Sequence, residues 1–305
     1  MKRTIYITEP NFIDPQKVKS VLPNDYEVIA GDTSFTGTIP EDCTALIIRS
    51  ATTITPTIKD HFPNLTDIMR AGVGVDNIDM EYCNKEHIAV YNAPGANADA
   101  VSEYIVCMML VALRRVYALT DKDVEAWNRF KFLGRSMSGR TIGIIGFGHI
   151  GRLIHAKLQG FGCKEFLAYD PFLKKEDFPN GVVQVPTVED VLEKSDLVTL
   201  HVPLIPQTHY LINKDNLGLM HDHTILLNAS RGGIVDEAAV MEAAQKKDLI
   251  YIADTVEGEP HVSSSLLHEE NIIITPHIAA LTQEAEDNVI TVAIENFLNH
   301  RPIHI

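Results

Sequence analysis

Short apolar runs alternate with amphipathic stretches from the start of the chain. Thr4–Thr8, Tyr26–Ala30, Ala45–Ile48, Asp67–Met69 and Ala89–Tyr91 read as strands, with helical spacing between them, as at Pro15–Leu22 and Ile78–Glu86. Such alternation predicts a parallel sheet covered by helices on both faces. Pro94-Gly95 interrupts it. From Ala98, residues Val101, Tyr104, Ile105, Met108, Val111 and Ala112 form one stripe of a long helix, expected to lead into a second domain. Strand-like runs then recur at Thr141–Ile145, Glu165–Tyr169, Val182–Val185, Leu197–His201, Thr224–Leu227, Ile250–Asp254 and Ile272–Thr275, with helices such as Thr187–Lys194 and Asp236–Lys247. A last helix, Thr282–Asn299, lies beyond the final strand and can return to the first domain. The expected fold class is α/β: two doubly wound parallel-sheet domains with a cleft between them, the default place for a ligand.

The strand at Thr141–Ile145 runs into Gly146, Gly148 and Gly151 with GxGxxG spacing, and helical apolar spacing follows. Strand, glycine turn and helix together are the context that a dinucleotide-binding motif needs. The first glycine permits the turn, the second lets backbone approach a pyrophosphate, and the third lets the helix pack on the strand. The next strand ends in Asp170, 19 residues beyond Gly151. A carboxylate there accepts both adenosine-ribose hydroxyls and repels a 2′-phosphate, so NAD is favoured over NADP. Lys174 and Lys175 stand close enough to moderate that preference.

With 305 residues the chain can hold two full cores. Its net charge of −15 argues against nucleic acid as a partner and requires local positive charge wherever an anionic substrate binds. The apolar start is cut short by Glu9 and Pro10, too early for a signal peptide, and the longest apolar run, Ile105 to Leu113, is nine residues. No membrane association is expected. Cys43, Cys83, Cys107 and Cys163 are scattered, which predicts reduced thiols in a cytoplasmic setting. No metal site is expected: His221-Asp222-His223 lacks a third ligand and reads as a solvated loop.

Polar residues follow three later strands. Arg231 comes after Leu226–Ser230, Asp254 and then Glu259 after Ile250–Ala253, and His277 after Thr275-Pro276. In an open α/β sheet ligands lie beyond the carboxyl ends of the strands. Arginine offers a fork for a carboxylate, and histidine exchanges a proton near neutral pH, the more so with a carboxylate beside it. Alone, Arg-Gly-Gly is a turn with a solvated charge, Thr-Pro-His a structural strand end and Glu259 a loop carboxylate. In order, behind a dinucleotide motif, they read as a catalytic set.

The chain resembles the NAD-dependent D-2-hydroxyacid dehydrogenases. The resemblance rests on the glycine turn, Leu200-His-Val-Pro-Leu204, Asn228-Ala-Ser-Arg-Gly-Gly-Ile-Val-Asp-Glu237, Glu257-Gly-Glu-Pro260, Thr275-Pro-His-Ile278, Ala71-Gly-Val-Gly-Val-Asp-Asn-Ile-Asp79 and Asn92-Ala-Pro-Gly-Ala-Asn-Ala98. It implies a cytoplasmic homodimer, a Rossmann NAD-binding domain over 98–283, and a flavodoxin-like substrate domain from 1–97 plus 284–305. It further implies that His277 is the acid/base, Glu259 its partner and Arg231 the holder of the substrate carboxylate or carbonyl. Backbone groups of Gly72, Val73 and Gly74 would take the carboxylate. His149 and Ile150 would meet the pyrophosphate. His201, Val202 and Pro203 would line the adenosine side. Ala229, Asp254 and the turn of His277, Ala279 and Ala280 would hold the nicotinamide region, and Val73, Ser230 and Arg231 would also bind the cofactor. Ile-Ala-Ala follows His277 where the family usually shows Ile-Gly-Gly.

Arg49 and Ser50 end one strand of the first domain, and Arg70 ends the next. These are more positive charges than a lactate or glyoxylate needs, and Arg prefers bidentate contacts with carboxylate or phosphate. The plain alternative is a pair of structural salt bridges. Ile-Arg-Ser-Ala-Thr and Arg-Ala-Gly-Val-Gly-Val-Asp-Asn look most like the D-3-phosphoglycerate dehydrogenase branch, where such arginines take the substrate phosphate. Arg129 and Lys131 would add charge from a partner subunit. The expected reaction is D-3-phosphoglycerate to 3-phosphohydroxypyruvate, the first step of serine biosynthesis. The alternatives are a small unphosphorylated acid (glyoxylate, hydroxypyruvate, pyruvate) and a non-enzymatic NAD(H)-sensing corepressor-like scaffold. With the sequence ending at Ile305, no C-terminal regulatory domain and no serine feedback are expected.

Overall fold

The computed structural model describes residues 3–35 and 39–303. Met1, Lys2, Thr36 to Thr38, His304 and Ile305, including both ends of the domain expected over 1–97 plus 284–305, lie outside the described residues. The chain divides into two compact units, Met1–Asn97 with Leu281–Ile305, and Ala98–Ala280.

In the first unit the order is β1 (Arg3–Ile7), α1 (Pro15–Val21), β2 (Tyr26–Ala30), β3 (Cys43–Ile48), α2 (Ile58–His61), β4 (Asp67–Arg70), α3 (Met80–Lys85) and β5 (Ala89–Tyr91). The five strands are parallel in the order β2-β1-β3-β4-β5. Alternation within β1 shows both faces covered: Ile5 and Ile7 join one core with Val18, while Tyr6 joins another with Ile58, Phe62 and Cys83. Asp14 and Asp79 cap α1 and α3 with their side chains, satisfying amides that the first turn leaves open. The chain's last helix, Gln283–Leu298, is capped by Thr282. It buries Val289, Ile290, Ala293, Ile294 and Phe297 in the same core as Ile5 and Ile7. The division falls at 280/281, so Thr282 lies in the first unit with the helix it caps.

The second unit begins with α4 (Ala98–Leu113) and the short α5 (Asp121–Glu125). It continues through β6 (Thr141–Ile145), α6 (His149–Leu158), β7 (Glu165–Tyr169), β8 (Val182–Gln184), α7 (Val188–Lys194) and β9 (Leu197–Leu200). Then come β10 (Ile225–Asn228), α8 (Glu237–Lys247), β11 (Ile250–Ala253), α9 (Ser264–Leu267) and β12 (Ile272–Ile274). Its seven parallel strands lie in the order β12-β11-β10-β9-β6-β7-β8. Every residue of β6 is buried. Ile142 and Ile144 pack with Val101 of α4 and Ile154 of α6, whereas Ile145 faces Val191 of α7 and Val240 of α8. The order reverses between β6 and β9, and in such a sheet the crevice outside the strand ends at that point receives the ligand.

Among the described residues no helix is long and apolar enough to cross a membrane. Cys43 and Cys83 are buried, Cys107 is exposed and Cys163 half-buried, all as free thiols. His221, Asp222 and His223 are exposed, and His223 pairs through Nδ1 with Asp248 at the surface.

Candidate active site

The three glycines after β6 each meet a different constraint. Gly146 has φ +90°, and a Cβ there would stand 2.4 Å from the carbonyl oxygen of His201, so only glycine fits. A Cβ on Gly151 would meet the Gly146 carbonyl at 2.7 Å, the close helix-to-strand approach. Over Gly148, the residue that precedes α6, there is open space. That space lies at the positive end of a ten-residue helix, where free amides suit an anion. The turn therefore fits a pyrophosphate.

Asp170 stands beside it at the end of β7. Its Oδ2 accepts the amide of Phe147 at 2.9 Å and its Oδ1 the amide of Phe172 at 3.0 Å. Each oxygen keeps a second lone pair, so two ribose hydroxyls can still be received. His149 is exposed and Ile150 half-buried at the helix start. His201 is half-buried; desolvation of its imidazole pushes the pKa down to about 3, and Nε2 lies 2.9 Å from Thr199 Oγ1. Its contact with the glycine turn is through its carbonyl. Val202 is half-buried and Pro203 exposed alongside.

His277 and Glu259 are brought together. Nδ1 of His277 lies 2.8 Å from Glu259 Oε1. That hydrogen bond is the main reason the His277 pKa is raised, and burial works against it. The same bond holds the Glu259 carboxyl below its ordinary range. Arg231 is near enough for its charge to oppose protonation of His277 and to favour ionisation of Glu259. The loop carrying Arg231 is drawn onto the Glu259 loop at Gly232, where a Cβ would stand 2.3 Å from the carbonyl group of Val256. Asn228 ties the same loop through Nδ2 to the Arg231 carbonyl at 2.8 Å, and Ser230 Oγ donates to the Leu200 carbonyl. Ala229 lies half-buried between them.

Asp254 takes a part that its position alone did not disclose. Its side chain is buried, and the carboxylate is received by the turn after β12. Oδ1 accepts the Ile278 amide at 2.8 Å and the Thr275 hydroxyl at 2.6 Å, and Oδ2 accepts the Ala279 amide at 2.8 Å. The Asp254 carbonyl accepts the His277 amide at 2.9 Å. These bonds hold His277 at φ +54°, a left-handed conformation that costs an L-residue about 1–2 kcal/mol. The hydroxyl of Tyr104 on α4 lies 2.5 Å from Thr275 Oγ1. Since Thr275 gives its proton to Asp254, Tyr104 is the donor. Ala279, expected at the nicotinamide, has its side chain in the core of the unit and its amide on Asp254, while Ala280 is half-buried.

In the first unit, Arg49 forms a salt bridge, the plain alternative to substrate binding. Both terminal nitrogens of its guanidinium engage the carboxylate of Glu286 in the last helix. Its backbone amide donates to Glu9 Oε1 at 2.9 Å, and the same carboxylate takes the amides of Ala51 and Thr52. Burial lowers the Arg49 pKa, and Glu9 opposes that shift. Ser50 is exposed. The guanidinium of Arg70 lies over Gly72, in the place a Cβ would fill. The Gly72 amide donates to the Arg70 carbonyl at 2.8 Å. The Val73 carbonyl accepts from Asn92, and Val73 and Gly74 are half-buried. Arg129 lies in an exposed single turn, and Lys131 pairs with Asp123 at 2.8 Å. Among the described residues no group of three His, Cys, Asp or Glu is placed to hold a metal ion.

Residues 106–279 match the family described as D-isomer specific 2-hydroxyacid dehydrogenase, NAD binding domain. The D-3-phosphoglycerate dehydrogenase of Bacillus subtilis is 37% identical over 256 residues, covering 83% of this chain and 49% of that protein. The hydroxypyruvate reductase of Thermotoga maritima is 37% identical over 257 residues, 82% of each chain. The NAD+-bound 3-phosphoglycerate dehydrogenase structure of Entamoeba histolytica superposes with a TM-score of 0.81 at 25% identity, covering 100% of this chain and 99% of that one. The chain spans about half the length of the D-3-phosphoglycerate dehydrogenases of Bacillus subtilis, Methanocaldococcus jannaschii and Archaeoglobus fulgidus, whereas it covers 82% of the Thermotoga protein. With this match across more than half its length, the chain belongs to the D-isomer-specific 2-hydroxyacid dehydrogenase family, and its second unit is an NAD-binding domain.

Proposed function

We propose that the protein is an NAD-dependent dehydrogenase interconverting a D-2-hydroxy acid and its 2-oxo acid. The observation that carries this reading is the His277–Glu259 pair at 2.8 Å, with Arg231 beside it, in a domain of the NAD-binding family. NAD held at the glycine turn would supply the hydride acceptor. In oxidation His277 takes the proton of the 2-hydroxyl on Nε2, the ring nitrogen that Glu259 does not engage, and in reduction it returns it. Glu259 stabilises the imidazolium that results. Arg231 holds the carboxylate or polarises the carbonyl oxygen, where a positioned donor acts on the charge that develops. Val73 and Gly74 would contribute backbone amides to the carboxylate.

Two substrate readings stand. D-3-phosphoglycerate, giving 3-phosphohydroxypyruvate for serine biosynthesis, is supported by the Arg49-Ser50 and Arg70 motifs and by the names of several relatives. A small unphosphorylated acid such as hydroxypyruvate, glyoxylate or pyruvate is favoured by the engagement of Arg49 with Glu286 and by the relative named hydroxypyruvate reductase. A panel of D-2-hydroxy and 2-oxo acids with NAD+ and NADH separates these from each other and from a non-enzymatic NAD(H)-sensing scaffold. Turnover of at least one acid, lowered on the order of 10²–10⁴-fold in His277→Ala, is expected. Binding of NADH with no turnover of any acid would leave the scaffold.

A cytoplasmic homodimer is part of the same proposal. Val116, Leu119, Val124, Trp127, Phe130 and Leu133 are exposed along one segment, Trp127 and Phe130 each at 78%, more apolar surface than a lone chain ordinarily leaves wet. Light scattering is expected to give twice the chain mass, and Phe130→Asp to give the single mass.

A further inference from the structure

Arg49 and Arg70 are the two cations that the substrate reading assigns to a distal anionic group. Around Arg49 the structure sets two carboxylates. Glu286 receives both arms of the guanidinium fork, and each of the two side chains is only 20% exposed. Glu9 is buried and fixed by the Arg49, Ala51 and Thr52 amides and the Thr52 hydroxyl. The guanidinium is further directed by the Phe12 carbonyl, 3.5 Å from Nη1. Glu286 sits in the first turn of its helix, where the positive end of the helix dipole favours a carboxylate. Arg49 thus stands with two carboxylates, Glu9 and Glu286, which offset the positive charge it was expected to offer a ligand.

A phosphate and the Glu286 carboxylate ask for the same two N–H donors. The phosphate would have to displace a partner built into the same chain and already oriented, which competes as an intramolecular ligand. Once displaced, Glu286 would remain as a half-buried anion beside a dianion, a juxtaposition that suppresses wrong partners. We propose that Glu286 is a specificity-determining residue, closing the Arg49 fork to a second anionic group so that the acid turned over carries an uncharged distal end. The proposal rests on the reading that Arg49 faces the distal end of the substrate.

D-glycerate and D-3-phosphoglycerate differ only in the phosphate, so their ratio isolates the effect. The wild-type protein, Glu286→Gln and Glu284→Gln are compared with both acids, by NADH formation and by calorimetric binding in the presence of NADH. The change Glu286→Gln keeps the side-chain shape and removes the charge. Glu284 is an exposed carboxylate of the same helical turn, and Glu284→Gln controls for the loss of one negative charge. The expected result is a wild-type preference for D-glycerate. Glu286→Gln should shift the ratio toward D-3-phosphoglycerate by on the order of tenfold or more, as removal of a repulsive element does, while Glu284→Gln leaves it unchanged. An unchanged ratio in Glu286→Gln, or an equal shift in both variants, overturns the proposal. Absence of turnover in all three proteins would instead tell against the dehydrogenase reading, and the binding ratio then decides the role of Glu286.

Discussion

The amide of His277 donates to the main-chain carbonyl of Asp254, while the Asp254 carboxylate takes the next two amides of the same turn. Asp254 thereby sets the backbone from which the imidazole projects. Its buried charge has three donors, and each donor left without a partner costs about 1–3 kcal/mol. Asp254→Ala is expected to lower the melting temperature and to reduce kcat by tenfold or more, because His277 is released from its left-handed conformation. Tyr104→Phe removes one outer hydrogen bond of the set, worth about 0.5–1.5 kcal/mol, and should act in the same direction but less. Thermal unfolding and steady-state kinetics check both. Unaltered kcat in Asp254→Ala would show that the turn keeps its shape without the carboxylate.

Gly232 permits the approach of the Arg231 loop to Val256. In Gly232→Ala the added methyl group meets backbone rather than a yielding side chain, so the loops must part. Overpacking of this kind costs about 1–3 kcal/mol. Displacement of Arg231 from Glu259 and His277 by about an ångström is expected to lower kcat/KM on the order of 10²-fold. Steady-state kinetics with the best acid of the panel tests this.

In the proposed function Asp170 is the residue that reads the cofactor. Its carboxylate is fixed by the amides of Phe147 and Phe172 and offers two lone pairs at the edge of the glycine turn. Asp170→Asn removes the charge that repels a 2′-phosphate. Loss of a charge-assisted bond worth about 1.5–3 kcal/mol should raise the KM for NAD+ by tenfold or more. The ratio of kcat/KM for NAD+ over NADP+ should fall with it. A ratio that does not move would place the discrimination elsewhere, with Lys174 and Lys175 the next residues to vary.

The parts of this arrangement that are legible in the sequence are those written locally. Both sheets follow from the alternation of short apolar runs and helical stripes, because strands buried on both faces have no polar period to obscure them. The glycine turn, Asp170, Glu259 and His277 follow from their places at strand ends. What is not legible depends on partners remote in sequence. Arg49 meets Glu286, 237 positions away, and nothing in Arg-Ser-Ala-Thr announces that carboxylate. Tyr104 reads as one more apolar position of a helical stripe, and only the fold brings its hydroxyl to Thr275. The bond from the Gly72 amide back to the Arg70 carbonyl is likewise not announced by the sequence. The exposed apolar residues from Val116 to Leu133 carry a signal that periodicity misses: large apolar side chains on a stretch of short, single-turn helices.

In the proposed mechanism His277 carries the proton and Glu259 sets its affinity. The imidazole must be neutral to take a proton and charged to give one. Oxidation of a D-2-hydroxy acid should therefore rise, and reduction of the 2-oxo acid fall, as pH increases through the raised pKa of His277. The most direct test is the pH dependence of kcat/KM in both directions for the wild-type protein and Glu259→Gln. With the hydrogen bond to a charged partner gone, both transitions are expected at lower pH, with the maximal rates reduced. Transitions that stay in place when Glu259 is neutralised would contradict the account.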